Sequence, residues 1–369
     1  MTLATASLAA SGFTTDRWQH INFSTTGGQF LWCCNGLDAP QVFDGATWAT
    51  ASVSVVNVIG VAAFKERIWM VRDGEISPAY LGLDAIQGTA TVFDLTGVFD
   101  EGGYLQAIGS WSMDGGAGPD DHIAFLTSRG EAAVYTGTNP ASDFALVGVF
   151  KMGALIGRRS LVKIGGDLVI VSIDGVLPLS VALVTDRAAI MTKTLSRMIQ
   201  PVVNAAAREY SGNFGWQIVS YPRGSRLILN VPIIENSQQE QYVMNTVTGA
   251  WARFTGENAN CWGVFKDRLF FGGNDGVVYE ADCQGYDHNQ AIDIDIQGAF
   301  NYWNARGQLK HFSMARANIT TDGQVSFGLG LNVDFRMDAE TSPQSVDSSE
   351  SDLWDVALWD TGVWPVVVN

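Results

Sequence analysis

The chain has 369 residues, of which 47% are apolar and only 16% charged, with a formal net charge of −16. That acidity excludes ordinary nucleic-acid binding and attraction to anionic membranes, and so few charges exclude a protein built on long surface helices. The 40 glycines, 12 tryptophans and 19 phenylalanines suit short strands joined by tight turns.

From the N-terminus, Met1 to Gly12 is small and apolar, but no Lys or Arg precedes the run, so it does not read as a secretory signal. No uncharged apolar stretch reaches the ~18 residues of a membrane span, so no membrane insertion is expected. A strand-like motif, a polar residue followed by an apolar run, then recurs. Its copies centre on Leu31 (QFLWCCNG), Ile68 (ERIWMVRDG), Ile123 (DHIAFLTSRG), Leu168 (GDLVIVSIDG), Leu227 (SRLILNVP) and Leu269 (DRLFFGGNDG). Their spacings are 37, 55, 45, 59 and 42 residues, and Phe64 to Trp69 (FKERIW) matches Phe265 to Phe270 (FKDRLF) 201 residues later.

Asn35-Gly36, Asp73-Gly74, Arg129-Gly130, Asp174-Gly175 and Asp275-Gly276 follow five of the copies and predict two-residue hairpin turns. Strand, turn, strand and loop at a period of ~40–50 residues describe a propeller blade, whereas a helical solenoid would need apolar residues at i, i+3 and i+4. The expectation is an all-β chain with an about six-bladed β-propeller over residues 1–285.

Asp44-Gly45-Ala46-Thr47-Trp48 echoes the Asp-box of sialidase-like propellers (S-x-D-x-G-x-T-W), one residue short and without the leading Ser. Thr248-Gly249-Ala250-Trp251 is a second partial echo. Both read as blade-closing turns with a buried Trp, carried by Asp44, Gly45, Trp48, Gly249 and Trp251. Residues 194–210 (TLSRMIQPVVNAAAREY) predict a helical insertion interrupted or restarted by Pro201.

Beyond Cys283 the pattern changes. Alternation over Ile292–Ile296 and Gln324–Phe335 predicts strands with one wet face, and hence a small β-unit over 286–337. The last 32 residues, 338–369, carry seven acids and no Lys or Arg, and end in Trp354, Trp359 and Trp364. They read as a flexible acidic arm whose tryptophans dock a partner or fold back on the β-unit.

Chemistry-bearing patterns are sparse. Cys33, Cys34, Cys261 and Cys283 have no zinc spacing and read as buried free thiols. The four histidines are isolated, and no nucleophile elbow, phosphate loop or zinc-protease motif occurs. Gly328-Leu329-Gly330 lies in a strand pattern rather than a dinucleotide fold. The acidic Asp114–Asp121 loop lacks calcium-loop spacing and reads as a solvated turn. No enzyme activity, catalytic residue, metal ligand or cofactor is expected.

Several runs, in this order, resemble a known family. They are Asn35 to Trp48 (NGLDAPQVFDGATW), Gly215-Trp216-Gln217 with Tyr221-Pro222, Leu227 to Pro232 (LILNVP), Tyr242 to Trp251 with Phe254, Trp262 with Leu269 to Gly273, Gly276 to Asp282, and the Trp-Asp tail at Leu353 to Trp364. Together they are similar to the tail hub and nozzle proteins of short-tailed bacteriophages. That resemblance implies a virion protein made in the host cytoplasm. It further implies a ring of its own copies, hexameric, that extends the DNA ejection channel. Its partners would be portal or adaptor, tail fibre or plug proteins, and DNA passing without specific binding. The competing expectation is a carbohydrate-binding or carbohydrate-active propeller, suggested by the two Asp-box echoes.

Overall fold

Six antiparallel sheets follow one another along the chain in the computed structural model, which describes residues 11–114, 119–184, 189, 192–283, 286–287, 290–291, 295–314, 318, 325–336 and 344–346. The first holds β1 (Gln19–Thr25), β2 (Gly28–Cys34), β3 (Gln41–Phe43) and β4 (Trp48–Thr50). The second holds β5 (Val58–Phe64), β6 (Arg67–Arg72), β7 (Ala79–Tyr80) and β8 (Thr91–Val92). The third holds β9 (Leu105–Asp114), β10 (Pro119–Thr127), β11 (Glu131–Thr136) and β12 (Ala145–Lys151), and the fourth β13 (Leu161–Ile164), β14 (Asp167–Ser172) and β15 (Gly175–Pro178). The fifth holds β16 (Gln217–Tyr221), β17 (Arg226–Ile234), β18 (Gln238–Asn245) and β19 (Trp251–Thr255), and the sixth β20 (Ala259–Phe265), β21 (Arg268–Gly273) and β22 (Val278–Ala281). First strands of successive sheets pack on one another, so the six sheets form the ring of a six-bladed β-propeller.

All six sequence markers lie on the second strand of their sheet. That strand is paired on both edges in every sheet and covered on both faces in the second to fifth, so it carries the most continuous apolar run. The matched pair FKERIW and FKDRLF forms two equivalent first hairpins, closed by Phe64↔Arg67 and Phe265↔Arg268. Lys65, Glu66, Lys266 and Asp267 all have positive φ, between 47° and 57°, as a two-residue hairpin turn of this hand demands. The predicted Asx-Gly turns differ. Gly36, Gly74, Gly130, Gly175 and Gly276 do take positive φ, but their Asn, Asp or Arg neighbours do not. Most of the loops they serve are longer than two residues, six between β2 and β3, for example.

Five apolar layers fill the gaps between consecutive sheets. Trp32 and Cys34 meet Ile68 and Met70, Trp69 meets Phe125, Leu126 meets Ile170, Val171 meets Leu229, and Ile228 meets Trp262. At roughly 25 cal/mol per Å² of apolar area, these layers are the principal stabilising term. No such layer joins the sixth sheet to the first among the described residues; polar groups bridge that seam instead.

Helix α1 (Leu179–Val184) lies beside the three-stranded fourth sheet and adds Leu179 and Ala182 to its layer. Within the span predicted helical, a 3-10 turn covers Arg197–Ile199 and α2 covers Gln200–Tyr210, with Pro201 in the first turn. Proline is tolerated there because no intrahelical N–H bond is lost. Val203, Ala206 and Ala207 of α2 pack with Trp216.

The chain divides into residues 1–291 and 292–369, and the first unit ends in a short hairpin of β23 (Tyr286–Asp287) and β24 (Gln290–Ala291). In the second unit β25 (Val325–Phe327) pairs with β26 (Gln344–Val346). The strand predicted over Gln324–Phe335 is therefore confined to its start, because Gly328 and Gly330 follow and offer no side chain to pack. Asp295 and Ile296 are not in a strand, and 292–294 lie outside the described residues. β26 sits within the predicted flexible arm.

Candidate functional site: the mouth of the propeller

Asn35, fully buried after β2, organises the first wall of the mouth. Its Oδ1 accepts from the N–H groups of Leu37 at 3.1 Å and Asp38 at 2.8 Å. Its Nδ2 donates to Asp38 Oδ2 at 2.6 Å and to the Thr15 carbonyl at 3.2 Å. Thr14 adds its N–H and its hydroxyl to the same carboxylate, each at 2.7 Å. These hydrogen bonds, Thr14's first and then Asn35's, hold the Asp38 carboxyl below the usual carboxylate range. The segment before β1 is thereby strapped across the first sheet.

The strap delivers Arg17, which donates to Glu235 Oε1 at 2.6 Å and lies 4.8 Å from the Phe214 ring centroid. Glu235 Oε2 accepts from the Phe214 N–H at 3.1 Å. Arg159, on the approach to β13, donates Nη2 to the Trp18 carbonyl at 2.7 Å and Nη1 to the Asn260 carbonyl at 3.2 Å. Asn260 Nδ2 reaches Asp16 Oδ2 at 3.5 Å. Arg159 thus grips both sides of the seam from the fourth sheet. Burial lowers its guanidinium from the ordinary value, while the Cys261 and Asp16 charges oppose that.

Between these groups lies a cavity of about 820 Å³, lined by Phe13 to Trp18, Asn35 to Leu37, Ile59, Asp73, Arg158, Glu235 and Asn236. Sequence reasoning missed it because its residues come from six separate parts of the chain. The one local signal is the adjacent pair Arg158-Arg159 in a chain with only 22 basic residues. Neighbouring residues of an extended segment point to opposite sides, and here one faces the cavity while the other grips the seam.

The residues singled out from sequence are spread over the molecule. Asp44 Oδ1 accepts from Ala46 N–H at 2.8 Å and Thr47 N–H at 2.6 Å, which closes the turn into β4. Gly45 has φ +96°, and Trp48 stacks near Phe43 with centroids 5.1 Å apart. Gly249, at φ +71°, donates its N–H to the Asn245 carbonyl at 2.8 Å and leads into Trp251. Neither tryptophan is fully buried, contrary to expectation. Both start outer strands, where one ring face lacks a covering sheet. Trp251 Nε1 instead donates to the Leu195 carbonyl at 3.0 Å, tying its blade to the helical insertion.

Cys33 and Cys34 are buried, whereas Cys261 and Cys283 are exposed, so the expectation of four buried thiols fails for the second pair. β20 is an inner strand facing the seam, and Cys283 follows the final blade strand, so no sheet covers either. Asp121, from the acidic loop, pairs with Lys65 at 2.5 Å; residues 115–118 of that loop lie outside the described residues. Trp354, Trp359 and Trp364 also lie outside them.

The second unit presents a different kind of surface. No residue of 295–314, 318 and 327–336 is buried, and Ile296, Tyr302, Trp303, Leu309, Phe312, Met314, Leu329, Leu331, Val333 and Phe335 are all exposed.

No protein-family model and no curated protein matches the sequence. Among solved structures, the chain is similar to a 6-phosphogluconolactonase-like protein of Bacteroides uniformis, with 14% identity over 73% of this chain and 82% of that one, at a TM-score of 0.41. It is also similar to the Aleuria aurantia lectin, with 11% identity over 72% and 91% of the two chains at a TM-score of 0.35. Sqt1 of Saccharomyces cerevisiae matches with 10% identity over 70% and 82% at 0.37. The fold assignment rests on the six consecutive sheets themselves.

Proposed function

We propose that this chain is a non-catalytic structural subunit of a bacteriophage tail, of the hub or nozzle type, whose copies form a ring around the DNA ejection channel and dock neighbouring tail proteins. The observation that carries the reading is the second unit, with ten large apolar side chains exposed and no buried residue among 295–314, 318 and 327–336. A chain segment without a buried core does not hold a fold unaided, and apolar surface of this kind is covered by partner chains in an assembly. The ordered motif runs support the family. Within them Asn230 and Trp262 tie the fifth and sixth blades through buried hydrogen bonds, Trp262 Nε1 to Asn230 Oδ1 at 3.0 Å and Asn230 Nδ2 to the Ala259 carbonyl at 3.1 Å.

A formal charge of −16 also suits a conduit, since like-charge repulsion keeps passing DNA from adhering. The test is the assembly state of the full-length protein by analytical ultracentrifugation and negative-stain microscopy. Rings are expected, weakened when residues 338–369 are removed. A protein that stays monomeric at every concentration and turns over glycans would overturn the reading.

A further inference from the structure

Arg158 is the unusual group in the mouth. Its side chain is three-quarters buried, with 24% of its surface exposed, yet among the described residues its one close acidic partner is Asp73, with Nη2 and Oδ1 3.6 Å apart. That is beyond hydrogen-bonding length, and among the described residues no hydrogen bond of the guanidinium accompanies it. A guanidinium carries five N–H donors in a fixed fork matched to a carboxylate. Burying such a group without fixed acceptors is costly.

The space in front of it is kept open by Gly36. A Cβ there would stand 2.9 Å from Ile59 Cγ2 and 3.4 Å from Arg158 Nη1. Arg17 adds a second positive charge close enough to repel Arg158, although Glu235 already engages it. Phe13, Leu37 and Ile59 supply apolar wall, and Leu37 is 66% exposed there. A cavity of about 820 Å³ is in the size range of small-ligand sites.

We propose that the mouth binds an organic carboxylate, with Arg158 as the residue that recognises it and the apolar body of the ligand against Phe13 and Leu37. A single carboxylate suits the site better than a phosphate dianion. Asp73 stands beside the guanidinium and Asp16 and Glu235 also line the cavity, and each added negative charge on the ligand meets their repulsion. The carboxylate is that of a free acid or of an acidic peptide. This inference does not depend on the assembly reading.

The experiment is calorimetric titration of the full-length protein with phenylacetate, with a synthetic peptide of sequence DLWDVALWD, and with inorganic phosphate. Saturable binding of one of the first two, tighter than phosphate, is expected, and which one binds identifies the source. Arg158→Gln weakens that binding at least about tenfold. Asp73→Asn tightens it, because a competing carboxylate is removed. A purely structural ion pair predicts the reverse pattern, with Arg158→Gln and Asp73→Asn lowering the thermal midpoint alike and no effect on titration. No binding of either carboxylate, phosphate binding as tight, or binding unchanged in Arg158→Gln would each overturn the assignment.

Discussion

Arg159 reaches across the propeller to Trp18, 141 residues earlier, and donates Nη2 to its carbonyl at 2.7 Å while Nη1 holds the Asn260 carbonyl at 3.2 Å. No strand is shared between the first and sixth sheets, and no apolar layer joins them among the described residues. This side chain therefore fastens the seam from both sides.

Arg159→Met should leave two backbone carbonyls without their donor in a confined site. Each orphaned buried acceptor costs about 1–3 kcal/mol, so a loss of roughly 2–4 kcal/mol is expected in urea unfolding followed by tryptophan fluorescence. Hydrogen exchange should quicken first in β1 and β20. A variant within about 0.5 kcal/mol of the parent, with unchanged exchange there, would show that the seam is held otherwise.

The paired hairpins give a stabilising prediction. Lys266 and Asp267 occupy left-handed backbone at φ 50° and 57°, a conformation that costs most side chains about 1 kcal/mol. Lys266→Asn with Asp267→Gly supplies the residues this turn prefers. The double variant should gain roughly 0.5–1 kcal/mol in the same unfolding measurement, while Lys266→Val should lose stability. Lys65 is the poorer position for this test, because its ammonium is paired with Asp121.

The contrast between these hairpins and the mouth explains what the sequence reveals. Second strands are legible because burial on both faces makes them apolar throughout, as in Leu168 to Val171. The shortest outer strands are not, since Ala79–Tyr80 and Thr91–Val92 are too short to show any period. The seam is illegible for another reason. A guanidinium bound to two carbonyls leaves no trace in those carbonyls' residue types, because it takes only the backbone oxygens of Trp18 and Asn260. The cavity joins residues as distant as Phe13 and Asn236, so no local spacing encodes it. Local turn chemistry is read well only where glycine is obligatory: Gly130 at φ +86° would place a Cβ 2.4 Å from the Met152 carbonyl oxygen.

Thiol reactivity separates the cysteines. Burial pushes the Cys33 thiol up to about 11 and raises Cys34 further, so neither forms thiolate at neutral pH. Cys261 and Cys283 are exposed. Titration of the native protein with an aromatic disulfide reagent at pH 8 should label these two quickly, and all four cysteines after denaturation. Rapid labelling of four in the native state would mean that the first layer, where Cys34 packs with Trp32, opens freely.

The last prediction concerns acid. His20 pairs with Cys33 in the first hairpin and keeps an exposed face, which moderates a lowering of its pKa from the ordinary 6.5 that comes first from the desolvation of the imidazole among its neighbours and second from the Arg159 charge. The folded state therefore binds its proton less readily than the unfolded chain does. Stability from this group is fully present above the unfolded value and is lost as pH falls through 6.5 toward the lower folded value. Asp38, Asp44 and Asp143 are also lowered, by hydrogen bonds, but from 3.8. Their contributions disappear only in stronger acid, so the two windows are separable. Urea midpoints measured between about pH 7.5 and 5 should fall for the parent protein. His20→Gln should flatten that slope while leaving the drop below about pH 4 in place. An equal slope in His20→Gln would assign the titration to another group and remove His20 from the seam's electrostatics.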